Sequence, residues 1–141
     1  YTIGTAGGVN NNGQNYISYL FRSVQGYSKF GTYTGNGADD GPFVYTGFKP
    51  AFLMAKKTSG TGTWFMWDNK RTPFNVINIR MLANTSAGDD TSNDNRIDFL
   101  SNGFKIRDNS TSFNDNDSSM LYMAFAENPL VASNDVIALA R

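Results

Sequence analysis

The sequence predicts an all-β domain, an antiparallel β-sandwich of jelly-roll or lectin-like type with long polar loops. Three observations support this fold class. Aromatic residues make up 14% of the chain, short runs rich in Thr and Tyr are separated by Gly and Asn, and no long stretch has a helical apolar period. Strands at short spacing without long helices are typical of sandwiches and barrels.

The chain has the length and composition of one folded domain. Its 141 residues are 40% hydrophobic, which is enough to bury a core and argues against general disorder. Residues 1–15 are rich in Gly and Asn and are expected to be a linker or N-terminal arm, followed by a single β domain at residues 16–141. Because the chain starts at Tyr1 and has no basic-then-apolar leader, it is expected to be a mature fragment or the C-terminal part of a longer protein.

The first half of the chain contains five predicted strands. They are expected at residues 16–21, 27–34, 43–48, 51–58 and 63–68. The loop Ser59-Gly60-Thr61-Gly62 joins the last two as a hairpin. On the last strand, alternation places Trp64 and Met66 on one face and Phe65 and Trp67 on the other. Both faces are apolar, so this strand is expected to be covered on both sides.

The second half is more polar. Residues 71–82 fit either one helical turn or an extended loop, and residues 83–95 form a polar run without apolar period that predicts a long exposed loop. Ser101-Asn102-Gly103 predicts a hairpin turn between strands at 97–100 and 104–107. A second polar loop at 108–118, a strand at 120–126 and a final strand at 136–140 complete the predicted elements.

The composition argues against an enzyme. The chain has no His, no Cys and a single Glu, Glu127, although these residue types carry most nucleophilic and acid–base chemistry. The remaining enzymatic alternative is a carboxylate-based glycan depolymerase that pairs Glu127 with one of the Asp residues. The formal net charge of zero argues against nucleic-acid binding, and no apolar run reaches the roughly 18 residues of a membrane helix. No cofactor is expected, with Ca²⁺ as the one alternative.

Two Asp-rich stretches are candidate calcium ligands, because Ca²⁺ prefers carboxylate and amide oxygens. Neither stretch fits the EF-hand pattern. The competing interpretation is a solvated loop in which short polar side chains bond their own backbone. The candidate carboxylates are Asp89, Asp90, Asp94, Asp98, Asp115 and Asp117.

A second candidate is a saccharide site, since sugar-binding proteins offer aromatic faces to the ring and polar side chains to the hydroxyls. The competing interpretation is that aromatic residues at alternate strand positions form the core or a trimer interface. Likewise, Lys70 and Arg71 could bind an anionic sugar or pair with a neighbouring carboxylate. The candidate residues are Trp64, Trp67, Asp68, Lys70, Arg71, Tyr33 and Tyr45.

Three blocks of the sequence carry a resemblance. They are Gly-Thr-Tyr-Thr-Gly-Asn-Gly-Ala-Asp-Asp-Gly-Pro-Phe-Val-Tyr-Thr-Gly-Phe-Lys-Pro-Ala at 31–51, Ile-Asp-Phe-Leu-Ser-Asn-Gly-Phe-Lys-Ile-Arg at 97–107 and Tyr-Met-Ala-Phe-Ala-Glu-Asn-Pro at 122–129. With the C-terminal Ala140-Arg141, they resemble an uncharacterised domain at the C-terminus of tail-fibre-like and structural proteins of phages, many of them marine. In such proteins the domain often follows a lectin-like module. The resemblance spans most of residues 16–141 and implies a virion surface location, but it supplies no ligand and no catalytic residues.

These observations lead to three function hypotheses. The first is a host-attachment domain of a phage tail fibre or tailspike that binds a cell-surface glycan or protein and forms a homo-oligomer, most simply a trimer. The second is a structural module that oligomerises or caps a fibre and has no ligand of its own. The third is the depolymerase. In each case the expected location is extracellular, at the virion surface, with no nucleic-acid partner and no membrane insertion.

Overall fold

The computed structural model describes residues 2–129 and gives them the predicted all-β sandwich of two antiparallel sheets. The predicted strand at 136–140 lies outside the described residues. Within the described range there is one short helix and there are eight strands: α1 (Gly7–Asn10), β1 (Ser28–Thr34), β2 (Phe43–Tyr45), β3 (Pro50–Lys57), β4 (Phe65–Asp68), β5 (Arg80–Leu82), β6 (Ile97–Leu100), β7 (Gly103–Ile106) and β8 (Ser119–Ala126).

The larger sheet has five strands in the order β1-β8-β3-β4-β5, and the smaller has three in the order β2-β7-β6. Strand β8 lies between β1 and β3, so the last described strand pairs with two strands from the first half of the chain. Strands β3 and β4 form the predicted hairpin, with Leu53 opposite Trp67. Residues 71–82, for which the sequence left two alternatives, end in the edge strand β5.

The hydrophobic core lies between the sheets. Leu53, Trp67 and Met120 of the five-stranded sheet are buried there, as are Phe104 and Ile106 of the three-stranded sheet. The ring of Phe104 lies edge-on to Tyr122 at 5.3 Å and to Tyr33 at 5.9 Å between centroids. These aromatic contacts join the two sheets directly.

The opposite side of the five-stranded sheet, called here the outer face, is also apolar. Side chains alternate along each strand, so the neighbours of the buried residues point to this side. They are half-buried or exposed, whereas the inner residues are buried. Thr32, Lys56 and Asp68 also lie on this side. The apolar residues of the outer face are Phe30, Phe52, Met54, Trp64, Met66, Met81, Leu121, Met123 and Phe125. The expectation that residues 63–68 are covered on both sides is therefore met on the inner face alone.

The predicted strand at residues 16–21 is wrong. This segment, called here the apolar segment, pairs with no strand in the described structure and lies against the outer face instead. The Phe21 ring stacks on Phe30 at 6.1 Å and meets Phe125 at 6.0 Å. Ile17 and Tyr19 remain 83% and 79% exposed. An alternating apolar pattern shows that a segment seeks apolar contact, but it does not supply the neighbouring strand that a β-ladder requires.

The two predicted polar loops differ. Of the predicted loop at 83–95, residues 83–94 are almost entirely exposed, as predicted, but Asn95 is buried. The loop at 108–118 is not simply a solvated loop, because Phe113 and Asn114 are both fully buried. Phe113 packs on Trp67 at 5.3 Å between ring centroids. Asn114 Nδ2 donates to the carbonyls of Ala38 at 2.9 Å and Asp108 at 2.7 Å, which ties the loop to the turn before β2.

The predicted hairpin is confirmed, but its turn residues are Ser101 and Asn102 rather than Asn102 and Gly103, because Gly103 pairs with Leu100 as the first residue of β7. The role of Gly103 is steric. A Cβ atom at this position would lie 2.1 Å from the carbonyl oxygen of Val44 on the neighbouring strand. Glycine is therefore required because β2 approaches β7 closely at this point. In residues 2–129 no helix has the length and apolar character needed to cross a membrane.

Candidate functional site

Two of the predicted saccharide residues belong to the core. Trp67 is 1% exposed, and its Nε1 donates to the carbonyl of Asn95 at 3.0 Å. The Tyr33 hydroxyl donates to the carbonyl of Phe113 at 2.7 Å, and burial raises the pKa of Tyr33 well above its usual range. Neither ring can stack on a ligand, because both faces are packed against protein.

The remaining predicted saccharide residues lie in three separate places. Trp64 is half-buried at the margin of the outer face, with the Lys56 ammonium 5.8 Å from its ring centre. Tyr45 lies on β2 in the other sheet and is 64% exposed. Asp68, Lys70 and Arg71 form the turn after β4. The structure therefore does not bring these seven residues together.

The Asp68 turn is held by its own hydrogen bonds. Asp68 Oδ1 accepts from the backbone N–H groups of Lys70 at 2.8 Å and Arg71 at 2.9 Å. Burial opposes ionisation of Asp68, but these bonds and the Arg71 guanidinium outweigh it and lower the pKa of its carboxyl. Arg71 also binds Asp89 through Nε at 3.0 Å. Arg71 thus pairs with neighbouring carboxylates, which was the competing interpretation.

Asp90 and Asp94, two of the predicted calcium ligands, face a buried arginine. Arg80 has a side chain only 5% exposed and binds Asp90 at 2.7 Å and Asp94 at 3.2 Å. The Ser92 hydroxyl lies within hydrogen-bond distance of both carboxylates and can donate to either, and these contacts, with the Arg80 charge, lower the pKa of Asp90 and of Asp94. This part of the exposed loop is therefore tied to the edge of the inner face by a cation.

The other predicted metal ligands are distributed around the molecule. Asp98 faces Arg107 at 3.4 Å, Asp115 binds Lys57 at 2.5 Å, and Asp117 accepts from the Asn116 amide at 2.8 Å. The Lys57 and Ser118 hydrogen bonds lower the pKa of Asp115. Among residues 2–129, no group of three or more His, Cys, Asp or Glu side chains is placed to hold a metal ion. The calcium candidates do not converge within this range.

Glu127, the only glutamate, is paired with a cation. Its carboxylate binds Lys49 Nζ at 2.8 Å and accepts from Asn69 Nδ2 at 2.7 Å. The Lys49 hydrogen bond is the main reason that the pKa of Glu127 is lowered. A general acid needs a raised pKa, so this environment favours an ionised structural carboxylate.

The sequence did not predict a cleft on the outer face. This cleft, of about 430 Å³, lies between the apolar segment and the strands beneath it. The signal was present in the alternating Met and aromatic residues of β3, β4 and β8, but alternation alone could not show which face would stay open. The lining includes Tyr19, Phe21, Phe30, Met54, Trp64 and Met123.

A second cleft is polar and lies at the open end of the β6–β7 hairpin. It has a volume of about 370 Å³ and is called here the arginine cleft; it is lined by Asp39, Asp40, Val76, Arg96 and Arg107. The two arginines flank the hairpin, since Arg96 precedes β6 and Arg107 follows β7. None of these five residues was a candidate site residue in the sequence.

Comparison with known proteins gives a family but no function. No curated protein and no solved structure is detectably similar to the chain. The model of one domain family matches residues 1–129, which is most of the 141-residue chain. The chain therefore belongs to the family described as a domain of unknown function, DUF7483.

Proposed function

We propose that this domain is a non-catalytic attachment module of a phage virion surface protein, which works as a homo-oligomer joined through the outer face. The observation that carries the assembly part is the apolar outer face together with the exposed apolar segment beside it. The virion setting is supported by the resemblance of residues 31–51, 97–107 and 122–129 to phage tail-fibre-like proteins.

An apolar surface of this kind is unusual for a monomer. Monomeric soluble proteins rarely expose contiguous apolar patches larger than a few hundred Å². Here Leu121 on β8 is 41% exposed, and Ile17, Tyr19 and Leu20 of the apolar segment are each more than two-thirds exposed. Covering these side chains by another protein surface removes them from water, which stabilises the assembly by roughly 25 cal/mol for each Å² of apolar area buried.

A second copy of the chain is the occupant that fits best. The outer face and the solvent side of the apolar segment are two different apolar surfaces on one molecule. A head-to-tail contact between two different surfaces builds a ring when the rotation between neighbouring copies closes, and a trimer is such a ring. Beside the outer-face cleft, the Lys56 ammonium lies over the Trp64 ring of the same chain, 5.8 Å from its centre.

The proposed ligand at the virion surface is a glycan or protein of the host cell. Assembly through the outer face leaves the three-stranded sheet and the arginine cleft on the other side of the sandwich free to meet it. The ionised, cation-bound state of Glu127 supports a non-catalytic role. The depolymerase hypothesis gains no support from this arrangement.

The test is the mass of the purified 141-residue chain by light scattering at two concentrations. We expect a trimer for the wild type. Leu121→Lys places a charge in the middle of the outer face, and the double variant Ile17→Ser with Leu20→Ser removes two exposed apolar residues of the apolar segment. Both variants are expected to shift the population towards monomer by at least tenfold in dissociation constant.

The matched control is Phe74→Ser, because Phe74 is 80% exposed but lies on the loop before β5, away from the outer-face cleft. It is expected to leave the oligomer unchanged. A wild-type chain that is monomeric at both concentrations would overturn the assembly proposal. So would a Phe74→Ser variant that dissociates as readily as Leu121→Lys.

A further inference from the structure

We infer that the arginine cleft binds the hydroxyl groups of a neutral saccharide. This inference deepens the proposed attachment function by naming a ligand class and a site, and it rests on that function only for its biological setting. The site itself does not require the oligomer, since the arginine cleft and the outer face involve different sheets.

The arginines of the arginine cleft form loose ion pairs, although Lys105 binds Asp40 tightly beside them at 2.8 Å. Arg107 lies 3.4 Å from Asp98 and 3.8 Å from Asp40, and Arg96 lies 3.5 Å from Asp108. By contrast, the buried Arg80 binds Asp90 at 2.7 Å. Hydrogen bonds from N–H to oxygen usually span 2.7–3.2 Å, so these guanidinium groups face carboxylates without closing tight bonds to them.

Two buried polar atoms next to this cleft make no hydrogen bond within the described residues. They are Arg96 Nε, a donor that faces Asp108 Oδ2 only in an ion pair at 3.5 Å, and Oδ1 of Asp98, an acceptor whose neighbouring Oδ2 faces Arg107 at 3.4 Å. Buried polar groups in native proteins are nearly always hydrogen-bonded, so a donor and an acceptor without hydrogen bonds beside an open cleft are explained most simply by a bound polar molecule. That molecule must be able both to donate and to accept.

The charges around the cleft select among polar ligands. Three cations and four carboxylates lie in or next to it, so neither an anion nor a cation meets a clear excess of opposite charge. A hydroxyl group donates one hydrogen bond and accepts up to two, and a set of neighbouring hydroxyls therefore suits alternating guanidinium and carboxylate groups. The charged groups are Arg96, Lys105, Arg107, Asp39, Asp40, Asp98 and Asp108.

One wall of the cleft is apolar. Val76 lines it and is 39% exposed. Saccharides combine a fringe of hydroxyls with patches of C–H groups, and their sites pair polar side chains with an apolar surface for this reason. The volume of about 370 Å³ falls within the range of small-ligand clefts and suits one or two sugar rings.

The cleft is built on rigid elements. The backbone N–H of Arg107 donates to the carbonyl of Arg96 at 2.8 Å, which closes the hairpin and holds the two arginines side by side. The opposite wall is fixed by Asn36 Nδ2, which donates to the Asp40 carbonyl at 3.0 Å, and by Gly41 N–H, which donates to Ile106. A site held in this way needs little reorganisation to bind a ligand.

The test is a titration of the full chain with the methyl glycosides of glucose, galactose, mannose and N-acetylglucosamine, followed by NMR of the arginine Nε–H signals. We expect at least one neutral glycoside to shift the signals of Arg96 and Arg107 saturably. Arg107→Gln is expected to weaken binding at least tenfold. Arg71→Gln is the matched control, because Arg71 is a partly exposed, carboxylate-paired arginine outside the cleft, and it is expected to bind as the wild type does.

A second variant keeps the test decisive if Arg107→Gln does not fold. Val76→Lys changes the apolar wall on an exposed loop, leaves both arginines in place and is expected to weaken binding as well. The inference is overturned if no neutral glycoside shifts either signal, if only an acidic sugar such as sialic acid binds, or if Arg71→Gln weakens binding as much as Arg107→Gln. Repeating the titration on Leu121→Lys separates the two proposals, because a monomer that still binds the glycoside needs no assembly to do so.

Discussion

The two faces of the five-stranded sheet are made of similar residues but have different surroundings. On the inner face, Trp67 and Leu53 are packed beneath the three-stranded sheet and are at most 1% exposed. On the outer face, Met66 of β4 and Trp64, just before this strand, are only half-buried. Strand alternation makes both faces apolar, and the second sheet covers only one of them. The inner face therefore determines stability, and the outer face is available for association.

The largest expected difference between the faces is in the two tryptophans. Trp67→Ala should lower the free energy of unfolding by about 3–5 kcal/mol, because it leaves a cavity in a packed core. Trp64→Ala, the matched control, should cost less than about 1.5 kcal/mol, since its ring is partly in water already. Urea unfolding followed by circular dichroism measures both. Equal losses would show that the outer face is as tightly covered as the inner one.

Arg80 lies opposite Trp67 at the edge of the inner face, and its replacement tests how this edge is held. Arg80→Met should cost about 2–3 kcal/mol. The hydrocarbon volume is largely kept, but Asp90 and Asp94 lose their cation and the exposed loop loses its attachment. Thermal unfolding of the variant beside Arg71→Met measures the effect. A smaller loss for Arg80→Met than for the more exposed Arg71→Met would contradict this account.

Tyr33 allows a test of the inner face through alkaline pH. Burial raises the pKa of Tyr33 above its usual value of about 10, so the native state keeps a proton that the unfolded state loses. Its contribution to stability is fully present below pH 10 and declines as the pH rises further. Tyr33→Phe should flatten this decline and cost about 1 kcal/mol at neutral pH, because the carbonyl of Phe113 loses its donor.

Chemical unfolding at pH 8 and pH 11 gives the comparison for Tyr33→Phe. Tyr45→Phe serves as the exposed control and should leave stability at pH 8 unchanged. If Tyr33→Phe and the wild type lose stability to the same extent between the two pH values, another group causes the alkaline decline.

The smallest expected effect is at acidic pH and concerns Asp90, through which the exposed loop contacts Arg80. The Ser92 hydrogen bonds lower the pKa of Asp90 below its usual value of about 4, so its contribution is present above pH 4 and is lost as the pH falls further. Asp90→Asn should cost about 1 kcal/mol at neutral pH and less at pH 3. Unfolding midpoints at the two pH values measure this, and an equal cost at both would exclude the ionised carboxylate as the cause.

The sequence predicted correctly the strands whose pairing partner is the next strand along the chain. The β3–β4 and β6–β7 hairpins follow from alternation and turn residues, and the structure has them within one or two residues of the predicted bounds. The apolar segment at 16–21 shows the limit. Its alternating residues do contact apolar surface, but by lying across a sheet rather than within one, and no local pattern distinguishes these outcomes.

The sites were harder to predict than the strands, because a site depends on which distant residues meet. Trp64 and Trp67 are the same residue type in one short run. They differ in that Trp67 lies on the face that the second sheet covers and Trp64 on the face that it leaves open. Phe113 and Asn114 lie in a polar run, where a single aromatic residue gives no period from which burial can be predicted. Arg96 and Arg107 are eleven positions apart and become neighbours only because the hairpin between them closes.

The buried amide of Asn114 has a consequence for the order of folding. It binds Asn36 and Ala38, which are 78 and 76 positions away along the chain, and so it fixes the turn that carries Asp39 and Asp40. Contacts of such high sequence separation are slow to form, because the entropy of closing a long loop must be overcome first. The arginine cleft therefore depends on contacts between distant parts of the chain, and a chain in which they have not formed lacks the proposed saccharide site.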